Sequence, residues 1–143
     1  MNWKSGITLI VLAINTGTDI RTRKINLPVT LVYLAAGFLL WIKEAYCSGI
    51  ENWLVWSMAL VPGIFLCFCS GVSRGNIGMG DAILFLGLGF WHGFELSLTV
   101  LLAALGIASL YGGYLVLVQK VGRKRQIPFL PFMLAGMIGG ILL

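Results

Sequence analysis

Asp19 and Asp81 are the two residues whose type and setting could do chemistry. Each stands at the edge of a long apolar stretch. Asp19 precedes the basic run Arg21-Thr22-Arg23-Lys24, and Asp81 directly follows Gly78-Met79-Gly80. A carboxylate at the margin of a hydrocarbon phase is costly to keep, so its presence points first to function. Two of them at similar depth can act as one acid–base unit. Close together they cannot both ionise, and they share a single proton. The ionised member then takes a proton from a bridging water while the protonated member polarises a carbonyl. That is the chemistry by which paired aspartates cleave a peptide bond, and the roles belong to the coupled pair rather than to either residue. Two plainer readings stand beside it. Asp81 begins an apolar segment after a glycine, where aspartate is a favoured N-cap. Asp19 could simply pair with Arg21, Arg23 or Lys24.

The elements that must hold these residues are membrane helices. Of the 143 residues, 59% are hydrophobic and 10% charged. A soluble domain carries about 25% charged residues, so most of this surface faces lipid rather than water. The length suits one domain, residues 1–143. The apolar runs predict an all-α, polytopic membrane protein with six transmembrane helices. They fall at residues 4–20, 27–43, 53–72, 81–92, 95–118 and 127–143. The fourth is shorter than the roughly 20 residues a crossing needs. No small-residue cleavage site closes the first run, which is expected to stay as a membrane helix.

Basic residues set the orientation. With the N-terminus outside, the inner side holds Arg21, Arg23, Lys24, Arg74, Lys120, Arg123, Lys124 and Arg125. The outer side then holds only Lys4 and Lys43, which favours an N-out, C-out topology. Trp3, Trp41, Trp53, Trp56 and Trp91 all fall at expected outer ends, where indole rings favour the headgroup layer. Glu44, Glu51 and Glu95 also fall on or near the outer side, leaving Asp19 and Asp81 as the carboxylates near the inner one. Ten residues of helix from Trp91 back to Asp81 rise about 15 Å, half of a hydrocarbon core about 30 Å thick. With Trp91 at the outer interface, Asp81 lies below the inner surface, in a cleft or water-filled cavity. Sixteen residues from Trp3 to Asp19 rise about 24 Å and bring Asp19 to a similar depth.

Other chemistries find little support. The net charge of +5 could suggest nucleic acid, but the basic residues sit in short loops between apolar spans. Arg123-Lys124-Arg125 reads as a topology and anionic-lipid determinant. Cys47, Cys67 and Cys69 form no CxxC pair, and His92 is remote from them in sequence, so no zinc site and no cofactor are expected. Cys67 and Cys69 are expected to be inert buried thiols. His92 is expected at the outer interface, and Gly136, Gly139 and Gly140 to allow close helix packing.

Three segments taken together resemble the type IV prepilin peptidase family, especially its small forms. Asp19 is followed by Arg21-Thr22-Arg23-Lys24-Ile25 and then Pro28. Asn76-Ile77-Gly78-Met79-Gly80-Asp81-Ala82-Ile83-Leu84 carries a GxGD element at the head of a span. Ile127-Pro128-Phe129-Leu130-Pro131-Phe132 resembles the family's PFxP element. The resemblance spans nearly the whole chain. It implies a membrane aspartyl endopeptidase of the cytoplasmic membrane that removes short basic leader peptides from prepilins or pilin-like precursors at the cytoplasmic face. By motif position Asp19 and Asp81 would be the catalytic pair, with Gly78, Gly80, Pro128 and Pro131 shaping the site. The glycines would let the backbone bend and approach a partner helix. The chain departs from the family pattern at Ile83, where many members have lysine, and at Asn26-Leu27, where many have Pro-Asn. The cytoplasmic insert with paired CxxC motifs found in larger members is missing, so peptidase activity without N-methyltransferase activity is expected.

Two other classes of function fit the same residues. In a small transporter or channel subunit, Asp19 and Asp81 would bind a proton or cation. In an assembly partner that keeps the fold without catalysis, either aspartate would be replaceable by asparagine.

Overall fold

The computed structural model describes residues 2–22, 24–49, 53–72, 78–117 and 129–142. Among the described residues the regular structure is entirely helical. The helices are α1 (Trp3–Thr22), α2 (Leu27–Cys47), α3 (Trp53–Met58), α4 (Val61–Val72), α5 (Met79–Leu117) and α6 (Leu130–Leu142). Their bounds follow the apolar runs closely. Local chemistry explains where several begin and end. Pro28 sits in the first turn of α2, where its missing N–H costs nothing. Ser48 closes that helix through its N–H to the Glu44 carbonyl, and Gly49 leaves it with φ of 80°, a left-handed exit that suits glycine.

The expected span at residues 53–72 is broken. A proline ring collides with the carbonyl four residues earlier. For Pro62 that is Met58, where α3 ends. The break matters to packing, because the Ala59 carbonyl it contains faces α5. A Cβ on Gly89 would lie 2.2 Å from that oxygen, so α5 approaches this closely only because residue 89 has no side chain.

The expected spans at 81–92 and 95–118 meet at Gly93 within α5. Its φ of 80° and ψ of −171° fall in a region essentially reserved for glycine. Aromatic contacts show that the chain reverses there. Phe85 packs against Phe129 with ring centroids 6.1 Å apart, and Tyr111 against Phe132 at 5.6 Å. In one straight helix Phe85 and Tyr111 would stand about 39 Å apart. Phe129 and Phe132, one turn apart, could not touch both. The two arms of α5 therefore run antiparallel, and α6 lies along the second, with Gly136 against Val100 and Gly140 against Leu96. The first arm packs on α2 and α4, so α5 forms the centre of the bundle. Leu12, Tyr33, Leu66, Phe85, Leu88, Val100, Leu130 and Met133 belong to one buried apolar cluster.

One end of the bundle is tied by polar contacts. Lys4 pairs with Glu44, joining the start of α1 to the end of α2. The Thr8 hydroxyl donates to the Lys4 carbonyl at 3.0 Å and meets Tyr33 Oη at 3.1 Å and His92 Nε2 at 3.0 Å. A hydroxyl has one proton and two lone pairs. With its proton committed to Lys4, Thr8 accepts from Tyr33 and from an Nε2–H on His92. Asp19, the turn between α1 and α2, and the start of α5 lie at the opposite end.

Large apolar side chains such as Val32, Leu39, Phe68 and Leu110 are exposed on the outside of the bundle, as a lipid-facing surface requires. Among the described residues, three stretches are long and apolar enough to cross a membrane: Leu27–Cys47, Leu54–Val72 and Met79–Leu115. The chain is thus a multi-pass membrane protein. Six separate spans are not met at this level, for identifiable reasons. α1 has the length but carries Lys4, Asp19 and Arg21 together with buried Ser5, Thr8, Asn15 and Thr16. The two expected spans within α5 are separate arms that reverse at Gly93, and the first is shorter than the roughly 20 residues a crossing needs. α6 is apolar but its described helix has 13 residues.

Two residue-level expectations are corrected. Trp91 is only 4% exposed. It stacks on Tyr33 with ring planes 2° apart, and its indole N–H donates to the Tyr33 carbonyl at 3.0 Å, so it is a core residue rather than a headgroup anchor. His92 is half-buried in the Thr8 cluster, at the end of the bundle away from Asp19. Cys67 and Cys69 are half-buried rather than buried, because α4 has only one face against the bundle. Arg23, Arg74, Lys120, Arg123, Lys124, Arg125, Glu51, Asn76, Ile77 and Pro128, all used in the sequence reading, lie outside the described residues.

Candidate active site

Asp19 comes from the last turn of α1 and Asp81 from the first turn of α5. Both are half-buried, and both line one open cavity of about 430 Å³. Asp81 is the third residue of α5, not its N-cap; Gly78 precedes the helix, and the Asp81 N–H donates to the Gly78 carbonyl at 3.1 Å. Asp81 is therefore not itself the N-cap residue of α5.

The two glycines of the GxGD element meet different neighbours. A Cβ on Gly78 would stand 3.1 Å from Asp81 Oδ2, so a side chain there would crowd the carboxylate itself. A Cβ on Gly80 would stand 2.6 Å from Ile25 Cδ1 and 2.9 Å from both its γ carbons. Ile25 belongs to the turn between α1 and α2 and also lines the cavity. Gly80 thus lets that turn seat directly on the start of α5, which brings Asp19 and Asp81 to one space.

The rest of the wall is mostly aliphatic. Leu27, Met79 and Ile83 supply apolar surface, and Lys24 supplies a cation. A cavity of this kind can receive an extended backbone between two carboxylates and hold flanking side chains by apolar contact. Pro131 lies in the first turn of α6 and is not among the described residues lining the cavity. Phe129, just before α6, packs on Phe85, one turn beyond Asp81.

Sequence reading missed Lys24, Ile25, Leu27 and Met79 as wall residues, although all flank the motifs. It also passed over Asn15, which is fully buried in α1 one turn before Asp19. A carboxamide inside an apolar run was the available signal.

A helical membrane bundle with two aspartates facing one cavity at the end of its helices defines a class of membrane-embedded, carboxylate-bearing proteins. Comparison with known proteins narrows it. The chain belongs to the type IV leader peptidase family, whose match covers residues 6–113 and includes both aspartates. It is 29% identical over 109 residues to the prepilin leader peptidase/N-methyltransferase of Bacillus subtilis (strain 168). That match covers 76% of this chain and 41% of the relative, so the chain spans about two fifths of the relative's length. No solved structure matches it.

Proposed function

We propose that this protein is a membrane-embedded aspartyl endopeptidase that removes basic leader peptides from type IV prepilins or pilin-like precursors at the cytoplasmic face. The observation that carries this reading is the meeting of Asp19 and Asp81 in one cavity, in a chain of the leader peptidase family. One carboxylate activates a water and the other, protonated, polarises the scissile carbonyl. The water oxygen adds to the carbonyl carbon, and collapse of the tetrahedral species releases the amine of the mature precursor as it takes a proton from the pair. The activity is peptidase alone, without N-methyl transfer, in keeping with the lack of any CxxC pair in the sequence.

The protein sits in the cytoplasmic membrane with six crossings, both termini outside. The antiparallel arms of α5 support the fourth and fifth crossings, and the shared end of Asp19 and Asp81 supports a single inner-side site. The precursor's charged leader stays in the cytoplasm while its apolar helix lies among the enzyme's helices. A cleavage assay in proteoliposomes tests the substrate class. A membrane-anchored precursor with a basic leader is expected to be shortened at one bond, seen as a single mass change. Equal cleavage of unrelated soluble peptides would contradict this reading.

A further inference from the structure

Asn15 makes a set of contacts that joins three parts of the site. Its side chain is fully buried. The backbone N–H of Asn26 donates to its Oδ1 at 2.9 Å, and the Thr30 hydroxyl donates to the same oxygen at 3.3 Å. Its Nδ2 donates to the Val11 carbonyl at 3.0 Å. The Asn26 N–H can only donate and the Val11 carbonyl can only accept, so the amide has one orientation that satisfies both. Asn26 is the residue before α2, and its own side chain makes no capping bond. The start of α2 is therefore pinned from α1, one turn above Asp19. The residue next to Asn26 is Ile25, whose side chain fills the space over Gly80, the neighbour of Asp81.

We propose that Asn15 is a positioning residue for the carboxylate pair: its carboxamide fixes the turn between α1 and α2, and that turn, through Ile25 against Gly80, sets where Asp81 stands relative to Asp19. The proposal rests on the reading of Asp19 and Asp81 as the reacting pair. It assigns Asn15 no contact with substrate. The contacts are directional and buried, and they connect the two aspartates by a path of one side chain and one short turn. Removing the acceptor oxygen frees the turn; retaining it keeps the seat.

The test separates geometry from activity. In a full-length chain with Cys47, Cys67 and Cys69 replaced by serine, the pair Ile25→Cys and Gly80→Cys reports the seat. The Ile25 γ carbons lie 2.9 Å from where a Cβ on Gly80 would stand, so cysteines at the two positions face each other when the turn is seated. Disulfide formation in membranes under mild oxidation should be fast. Adding Asn15→Leu, which keeps the bulk and removes both polar atoms, should slow it at least about tenfold, while Asn15→Asp, which keeps the acceptor oxygen, should stay within about threefold. Thr30→Val removes one donor to that oxygen, should slow the reaction severalfold, and decides the matter if Asn15→Leu does not fold. In the chain with native residues 25 and 80, Asn15→Leu should lower kcat for precursor cleavage about ten- to a hundredfold with KM little changed, since misplacement by about 1 Å has that effect on rate. An unchanged cross-linking rate in Asn15→Leu, or equal slowing by Asn15→Leu and Asn15→Asp, overturns the proposal. If the wild type cleaves no precursor, the functional reading fails, and the cross-linking rates still decide what Asn15 positions.

Discussion

At the residue scale, the site depends on two absent side chains as much as on two carboxylates. Gly80→Ala would drive a methyl group into Ile25, with three of its carbons inside 3.0 Å. The turn or the head of α5 must then move, and a shift of about 1 Å can cost about a hundredfold in rate. Gly80→Ala should therefore cut kcat for precursor cleavage by about ten- to a hundredfold. Ile25→Ala in the same chain should recover much of it, because it clears the space the new methyl needs. The readout is the initial cleavage rate at equal amounts of enzyme in the membrane; no recovery would mean that Gly80 acts otherwise than by admitting Ile25. Gly78→Ala has no such remedy, since its new methyl meets the Asp81 carboxylate directly. That Asp19 and Asp81 would come to a similar depth was legible in the sequence, because both stand at the margins of apolar runs, and both line one cavity. The seat of Ile25 on Gly80 was not legible. It depends on the distance between two segments about fifty residues apart in the chain, and no local pattern records that distance.

At the element scale, the bundle is shaped by the reversal at Gly93 and the hydroxyl hub at Thr8. Any side chain at Gly93 meets a backbone conformation that costs about 1–3 kcal/mol for other residues. Gly93→Ala should lower stability in detergent by about that much, read from the midpoint of unfolding with increasing denaturing detergent; an unchanged midpoint would mean that the reversal does not require this geometry. Thr8→Val keeps the shape and deletes a group that serves Lys4, Tyr33 and His92 at once. Polar contacts between membrane helices average about 0.6 kcal/mol each and reach about 1.7. The variant should lose about 1–2 kcal/mol by the same measurement, with cleavage little affected at moderate temperature, since the hub lies at the end of the bundle away from the cavity. The reversal at Gly93 was legible as the gap between two apolar runs. The break before Pro62 was signalled by the proline and overlooked because the run around it is uniformly apolar. Trp91 was misplaced because an indole serves the headgroup layer and a packed core equally well, and sequence position alone does not separate the two.

At the scale of the whole molecule, removal of a leader at the cytoplasmic face requires the cavity to open toward the cytoplasm. A reporter fused after Arg125 should read cytoplasmic and one fused after Leu143 external; the opposite pattern would put the site on the wrong face of the membrane for its proposed substrate. Membership in the leader peptidase family and the multi-pass character were both legible in the sequence, the first through three spaced motifs and the second through composition. Asn15 was not singled out, since a buried amide reveals its partners only after α1 and α2 are set side by side. The central claim is that Asp19 and Asp81 act as one catalytic unit, and cleavage by the wild type, Asp19→Asn, Asp81→Asn and the double variant tests it most directly. Asparagine is nearly isosteric with aspartate and still bonds to the backbone, yet it cannot serve as a base or share a proton. Residues that act as a unit lose activity non-additively. With all four chains at equal abundance in membranes, only the wild type should shorten a membrane-anchored precursor, and the double variant should be little worse than either single one. A single variant that processes the precursor at the wild-type rate would contradict the account.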